Sequence, residues 1–301
     1  MKRPFQYGGQ AVIEGVMMRG PHHYAIAVRK SPDEIVVHGE ALDSFVQRSR
    51  FFKLPLIRGV VALFESFVLG YRALNFSANQ FMEGEGEEEL SPLEMTLMML
   101  LAFGVAIIFF VALPLWVRNL AGAVVKSVFY QNVLEGVIRG LILILYILSV
   151  SRIKEIKRVF AYHGAEHKTI FTYEAKEELT VENARTKSTL HPRCGTSFLL
   201  FVILVSAVVF SFLKADTFLL RFGYRIALLP VVAGLSYELI KFSGRHQDFF
   251  LWRWLSLPGL WLQKITTREP DDAMLEVAIS ALKRTLELEH SAGEGQTGLS
   301  A

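Results

Sequence analysis

The chain has a single cysteine among its 301 residues and nearly balanced charges. One thiol cannot form an intrachain disulfide, and it excludes any site that needs two thiolates. The 32 basic and 29 acidic residues give a net charge of +3, which is too small to indicate a nucleic-acid partner. Residues 1–10 are polar and glycine-rich, without an apolar core, so we expect no secretory signal there.

Charged residues are also scarce, at 20 %, whereas hydrophobic residues make up 52 %. Long uncharged runs produce this excess, and residues 95–117 form the longest, which as a helix of about 35 Å would cross a bilayer. Ser91, Pro92 and Glu94 form a capping-box pattern that predicts a helix start. The composition therefore indicates a membrane protein rather than a soluble enzyme, a disulfide scaffold or a disordered chain.

Three further runs are candidate membrane spans. Residues 195–213 are uncharged, whereas 133–151 contains Arg139 and 218–237 contains Arg221 and Arg225. Such a helix can span if its arginine snorkels to an interface or pairs with a neighbour. The sequence therefore predicts about four spans.

The distribution of basic residues predicts the orientation. The segment 152–194 carries nine Lys or Arg residues, against two in 118–132 and three in 214–225. By the positive-inside rule this segment is cytoplasmic, and an even number of spans places both termini on the same side. We expect a multi-pass protein of the cell membrane whose polar parts form one anchored head.

The polar segments predict a small antiparallel β meander and further helices. Strand character occurs in Gln10–Met18, Tyr24–Arg29 and Glu34–His38, separated by turn residues. The fold class predicted is mainly α, a polytopic membrane helical bundle with an N-terminal β meander on the cytoplasmic face. The expected divisions are 1–54 (meander), 55–92 (interfacial helix 56–76 and acidic linker), 93–150 (first membrane hairpin), 151–196 (His/Glu segment), 197–237 (second membrane hairpin), 238–290 (interfacial tryptophan segment 249–262 and amphipathic helix 271–290) and 291–301 (disordered tail).

The sharpest chemical signal is the sequence from His163 to His167. On a helix these two histidines lie one turn apart on one face, so both imidazoles can bind one ion. Glu166 can serve as a ligand or as the general base for a water molecule. This is the order of the inverted zinc-peptidase motif, although the pattern alone fits a polar helix face equally well.

Four other residues are candidate ligands at the same membrane depth: His191, Cys194, Glu238 and His246. Imidazole, thiolate and carboxylate together suit a divalent ion, with zinc favoured. For three of these four residues, a structural role is an alternative to metal binding. Cys194 could be a small buried residue, His191 could cap a helix or contact lipid phosphate, and Glu238 could form a salt bridge.

Three charged residues complete the candidate site. Arg193 lies between His191 and Cys194. Glu14 and Arg19 lie in the glycine-flanked segment near the N-terminus, where a structural ion pair is favoured over a catalytic role.

Several motifs resemble those of the YqhQ-like family of bacterial membrane proteins, a family of unknown function whose members are predicted metal-dependent enzymes. The motifs that carry the resemblance are Gly9–Arg19, Tyr162–Lys168, His191–Ser197 and Gln263–Pro270. The resemblance implies a multi-span membrane protein with a metal site and no assigned reaction.

The leading hypothesis is a metal-dependent integral membrane enzyme, favoured to be a hydrolase, acting on a lipid, a lipid-linked compound or a membrane peptide. Glu166 would be its catalytic base. A second hypothesis is a scaffold or regulator with structural histidines and a protein partner at the cytoplasmic face. A third is a carrier whose polar path includes Glu135, Arg139 and Arg225. In each case membrane lipids are expected partners.

Overall fold

A computed structural model describes residues 7–45, 49–86, 91–213, 217–245 and 250–297, excepting the side chains of 243–245, 250–256 and 293–297. The chain is mainly helical and begins with one antiparallel sheet. The strands are β1 Gly8–Val12, β2 Gly15–Arg19, β3 His23–Ser31 and β4 Glu34–Ala41. The helices are α1 Ile57–Glu85, α2 Pro92–Ala121, α3 Val128–Val150, α4 Lys154–Glu174, α5 Val181–Arg185, α6 Thr196–Ser211, α7 Phe218–Arg245, α8 Phe250–Thr266 and α9 Asp272–Thr297.

The sheet is a meander with strand order β1-β2-β3-β4, as predicted. The predicted strand Gln10–Met18 is, however, a hairpin of two strands with Val12 paired to Gly15. Glu14 forms the turn with a positive φ of 48°. Gly15 is required after it, because a Cβ there would lie 2.3 Å from the carbonyl oxygen of Ala27.

Both faces of the central strands β2 and β3 are buried, which explains why their sequences show little alternation. Val16 and Met18 point toward α4 and α9, where they pack in one core with Leu275. Met17 points the opposite way and packs with Leu69 of α1. The N-terminal sheet, α1, α4 and α9 thus form a head with two apolar layers.

Within the part of the chain that the structure describes, three helices are long and apolar enough to cross a membrane: Pro92–Ala121, Val128–Val150 and Phe218–Phe242. The fourth predicted span, 195–213, corresponds to α6, which has 16 residues. A helix of that length rises about 24 Å, less than the ~30 Å hydrocarbon core of a bilayer. Gly195 and Phe212 cap α6 and lie outside its regular helix, so the uncharged run overstated its length.

The first of these helices starts at the predicted capping box, since Ser91 and Glu94 exchange the expected hydrogen bonds. A π-helical turn at Ile108–Ala112 precedes Pro114. Proline has no N–H to donate to the carbonyl four residues earlier, that of Phe110. Nε of Arg139 donates to this oxygen instead, at 2.8 Å. A charged side chain of α3 therefore binds at the irregular turn of α2.

Close contacts join the head to the apolar helices. Gly59 of α1 lies against Gly234 of α7, and a Cβ at residue 59 would be 2.9 Å from the Gly234 backbone. Helix α1 then continues to Glu85, beyond the predicted end at 76, and takes up the start of the acidic linker. Likewise α9 continues to Thr297, so residues 291–297, predicted to be disordered, are helical.

Candidate metal centre

Helix α4 places His163 and His167 one turn apart, with ring centroids 4.4 Å from each other. Cys194, immediately before α6, lies against both rings. One nitrogen from each histidine and the sulfur of Cys194 all lie within 4.8 Å of one another. The predicted convergence of imidazoles and thiol is therefore present, and the cluster could hold a metal ion.

Both histidines are anchored through Nδ1. Nδ1–H of His163 donates to the carbonyl oxygen of Thr266 at 2.9 Å. Nδ1–H of His167 donates to the carbonyl oxygen of Thr189 at 2.5 Å. Because a carbonyl only accepts, these bonds fix the proton on Nδ1 and leave Nε2 with a free lone pair. Nε2 of His163 points at Cys194, 3.2 Å from Sγ.

The thiol is held at the start of an apolar helix. Cys194 is 8 % exposed, and the backbone N–H of Thr196 donates to its sulfur at 3.4 Å. Because this helix begins at Thr196, the centre lies where the polar head meets the apolar helices.

Glu166 is buried beside the cluster and contacts β1. The backbone N–H of Gly9 donates a hydrogen bond to its carboxylate. A Cβ on residue 9 would lie 2.9 Å from Cγ of Glu166 and 2.6 Å from the carbonyl oxygen of Met17, so this position needs glycine. Burial raises the pKa of the Glu166 carboxyl, and nearby His163 and His191 oppose the rise. Burial also lowers the pKa of His167.

His191 lies next to the three clustered residues rather than among them. Its ring centroid is 5.6 Å from that of His167. Nδ1 of His191 accepts the backbone N–H of Arg193 at 3.3 Å, so the neutral ring carries its proton on Nε2. That Nε2 is buried and has no hydrogen-bond partner among the residues described. Burial lowers the pKa of His191. His191 is thus a neutral donor beside the cluster.

Gln263 of α8 holds the segment that carries His191. Its side chain accepts the backbone N–H of His191 at 2.8 Å and donates to the backbone carbonyl of His191 at 2.9 Å. Gln263 is fully buried. No pattern in the sequence indicates this role of Gln263. The anchoring by Thr266 and Thr189 is not predictable from the sequence either, because these residues act through backbone carbonyls, which residue type does not reveal.

A cavity of about 400 Å³ opens beside the cluster, between β1, α4 and the start of α6. Arg193 lines it and forms an ion pair with Glu174. Gly8, Gly9, Glu166 and His191 line it as well. The cavity therefore brings the candidate ligands, the buried carboxylate and one cation to a common space.

Other predicted site residues lie apart from the cluster. Glu238 accepts Nε of Arg58 at 2.5 Å and forms a two-point ion pair with that guanidinium. The structure thus gives Glu238 the salt-bridge role, with a partner on α1 that the sequence did not indicate. His246 lies outside the described residues.

Glu14 and Arg19 link the sheet to neighbouring helices. Glu14 pairs with Arg158 of α4 and accepts the hydroxyl of Tyr162 at 3.3 Å. Arg19 lies 3.6 Å from Glu65 of α1. Both contacts are ion pairs between elements of the head, and they join Glu14 and Arg19 to other residues rather than to each other.

Comparison with known proteins identifies the family. The family described as "Protein of unknown function (DUF1385)" matches residues 54–288, which is more than half of the chain. The chain belongs to this family. It is also 36 % identical over 307 residues to "Uncharacterized protein YqhQ" of Bacillus subtilis (strain 168), covering 98 % of this chain and 96 % of that protein. The resemblance to the YqhQ-like family is confirmed. No solved structure matches the chain.

The two matches differ in extent. The DUF1385 match contains His163, Glu166, His167 and Cys194 but starts after the sheet. The Bacillus subtilis relative aligns along almost the whole chain, and so includes the sheet with Gly9. Strand β1, which contacts Glu166, is therefore covered by the match to the Bacillus subtilis protein but not by the family match.

Proposed function

We propose that this DUF1385 member is a metal-dependent integral membrane enzyme, and that the reaction is a hydrolysis. The observation that carries the proposal is the anchoring of both His163 and His167 through Nδ1 to backbone carbonyls. Histidines that bind metals almost always donate the second ring nitrogen in this way, which fixes the tautomer and the ring orientation. The free Nε2 atoms and the sulfur of Cys194 then converge.

The donor set fits a divalent ion, with zinc favoured. Two imidazoles and one thiolate are ligands of a borderline ion, and catalytic zinc sites have three protein ligands and one open position. Ligand atoms around zinc lie about 3–4 Å from one another. The separations in this cluster, up to 4.8 Å, are close to that range. A bound ion would act as a Lewis acid and lower the pKa of a water molecule.

Glu166 is the proposed general base. Its carboxylate borders the same cavity as the three ligands, and the backbone N–H of Gly9 orients it. It can accept a proton from water and return it to the leaving group. His191 also lines this cavity, and its buried Nε2–H lies 3.6 Å from a carboxylate oxygen of Glu174 without a hydrogen-bond partner among the residues described. We assign this N–H the binding of an oxygen of the substrate.

The proposed substrate is membrane-embedded: a lipid, a lipid-linked compound or a membrane peptide. The cavity includes Cys194, Gly195 and Thr196, at the start of the apolar helix α6. We propose that α2, α3 and α7 cross the cell membrane, and that α6 crosses it as well, together with the uncharged residues 195 and 212–213 that flank it. Four crossings place the head and both termini on one side, and that side is the cytoplasm because the segment 152–194 is rich in basic residues.

The test is a comparison of Glu166→Gln with Glu155→Gln in a strain that lacks the gene. Glu155 is an exposed residue on the same helix, so its variant is a matched control. We expect Glu166→Gln to reach the membrane at normal levels and to bind metal, yet to fail to replace the wild type. Glu155→Gln should replace it.

The alternative function, a scaffold or regulator, makes the opposite prediction. A scaffold should tolerate Glu166→Gln, because glutamine keeps the size of the side chain and one oxygen that can accept the Gly9 N–H, whereas it cannot act as a base. Full complementation by a normally abundant Glu166→Gln variant would therefore overturn the enzyme proposal.

A further inference from the structure

A second cluster of charged side chains lies among the apolar helices, at the end opposite the metal centre. Its members come from four helices, and each is at most 6 % exposed. We call it the arginine cluster, and it consists of Arg118, Asn132, Glu135, Arg139, Ser206 and Arg225.

One carboxylate serves all three arginines of this cluster. Glu135 accepts Nη2 of Arg139 at 2.9 Å. It also accepts Nε and Nη2 of Arg225, at 2.8 and 2.5 Å. Nε of Arg118 lies 3.6 Å from the same carboxylate. Three guanidinium groups and one carboxylate leave a net charge of +2 within the arginine cluster.

An excess of buried charge is costly unless something neutralises it. Transfer of one unpaired ion into an apolar interior costs several kcal/mol even after relaxation. Arg139 and Arg225 are well bonded, and both also lie over the ring of Phe210, at 5.5 and 5.0 Å. The uncompensated charge therefore concerns Arg118 above all.

Two donors of the arginine cluster lack a partner among the residues described. They are Nη1 of Arg118 and Nδ2 of Asn132, and both are buried. Oδ1 of Asn132 accepts Nε of Arg118 at 3.1 Å, which fixes the amide so that its Nδ2 is the free group. Two neighbouring unpartnered donors and a net positive charge are the features of an anion site.

The depth of these donors suits a phosphate group. Arg118 lies three residues before the end of α2, and Asn132 lies four residues after the start of α3. At 1.5 Å per residue they are about 4.5 and about 6 Å from the helix ends. In a bilayer the headgroup layer on each side is about 5–8 Å thick. The free donors would thus lie at the level of the lipid phosphates.

We propose that the arginine cluster binds a phosphate-type anion through Arg118 and Asn132, at the membrane face opposite the head. A phosphomonoester dianion would balance the charge of +2 in full, and a phosphodiester would balance half of it. The anion can come from a lipid headgroup or from free phosphate. This site is separate from the metal centre, so failure of either proposal leaves the other standing.

The experiment measures binding of fluorescent phosphatidic acid to the full-length protein in detergent micelles, with a phosphatidylcholine analogue as reference. Arg118→Gln removes a charge, Asn132→Ala removes a free donor at constant charge, and Arg152→Gln alters an exposed arginine at the other end of α3. We expect the first two to weaken phosphatidic acid binding about tenfold or more, as for loss of a charge-assisted hydrogen bond. Arg152→Gln should bind as the wild type does.

Competition with inorganic phosphate distinguishes the two sources. Displacement of phosphatidic acid by phosphate supports a site for free and lipid phosphate, whereas no displacement supports a lipid site. If Arg118→Gln does not fold, Asn132→Ala decides the matter. Wild-type binding of phosphatidic acid no tighter than of phosphatidylcholine, or unchanged binding by Asn132→Ala, overturns the proposal.

Discussion

Replacement of Gly164 by alanine should separate α4 from the segment that follows α8. A Cβ on residue 164 would lie 2.1 Å from the carbonyl oxygen of Arg268, whereas ordinary contact begins near 3.4 Å. The obstacle is backbone, and it is held in place because the N–H of Arg268 donates to the carbonyl of Phe160 at 2.9 Å. The two segments would therefore have to move apart by about 1 Å.

The cost follows from three contributions. Overpacking of this kind costs about 1–3 kcal/mol. Loss of the Arg268–Phe160 hydrogen bond adds about 1 kcal/mol. The higher helix propensity of alanine relative to glycine offsets about 1 kcal/mol of this loss. The net loss of unfolding free energy should be about 2 kcal/mol. The metal centre should be disturbed too, because Thr266, whose carbonyl anchors His163, is the last residue of α8 and lies only two residues before Arg268.

Thermal unfolding of the detergent-purified protein measures this loss. Gly140→Ala is the matched control, since Gly140 lies within α3 and a Cβ there meets nothing within 4 Å. We expect a midpoint several degrees lower for Gly164→Ala and an unchanged or higher midpoint for Gly140→Ala. Equal midpoints for the two variants would refute the close backbone contact.

Three further outcomes follow from the site. Glu238→Gln should lower the free energy of unfolding by up to about 1 kcal/mol, because it removes a partly exposed ion pair. The metal content should stay unchanged, and loss of metal would show that Glu238 is a ligand. Gln263→Ala should free the segment that carries the ligand Cys194 and the Thr189 carbonyl that anchors His167, and so weaken metal affinity about tenfold, as changes in groups that support ligands do. An unchanged dissociation constant would argue against this support. Maleimide labels Cys194 alone, because it is the sole cysteine of the chain. Labelling should be faster after a chelator has removed the metal, and equal rates with and without the chelator would speak against ligation by Cys194.

Some features of this chain could be predicted from the sequence because they depend only on residues a few positions apart. The capping box at Ser91 depends on residues three apart, and the structure contains it. The shared face of His163 and His167 depends only on helical spacing. The approach of Cys194 to both histidines followed from a topological argument about where helices leave the apolar layer, and it too is present.

Other features depend on how distant segments meet. The segment Gln10–Met18 is predicted as one strand because a sheet buried on both faces lacks alternation, which hides the hairpin at Glu14. The partner of Glu238 depends on the alignment of α1 with α7, brought close by Gly59. No residue type signals either contact.

Metal analysis of the purified full-length protein tests the central claim most directly. We expect about one equivalent of a divalent ion, with zinc favoured, in the wild type and in His38→Ala, whose ring is exposed and remote from the centre. The double variant His163→Ala, His167→Ala should retain none. A wild-type protein without stoichiometric metal after supplementation with zinc, or a double variant with the same metal content, would contradict the account.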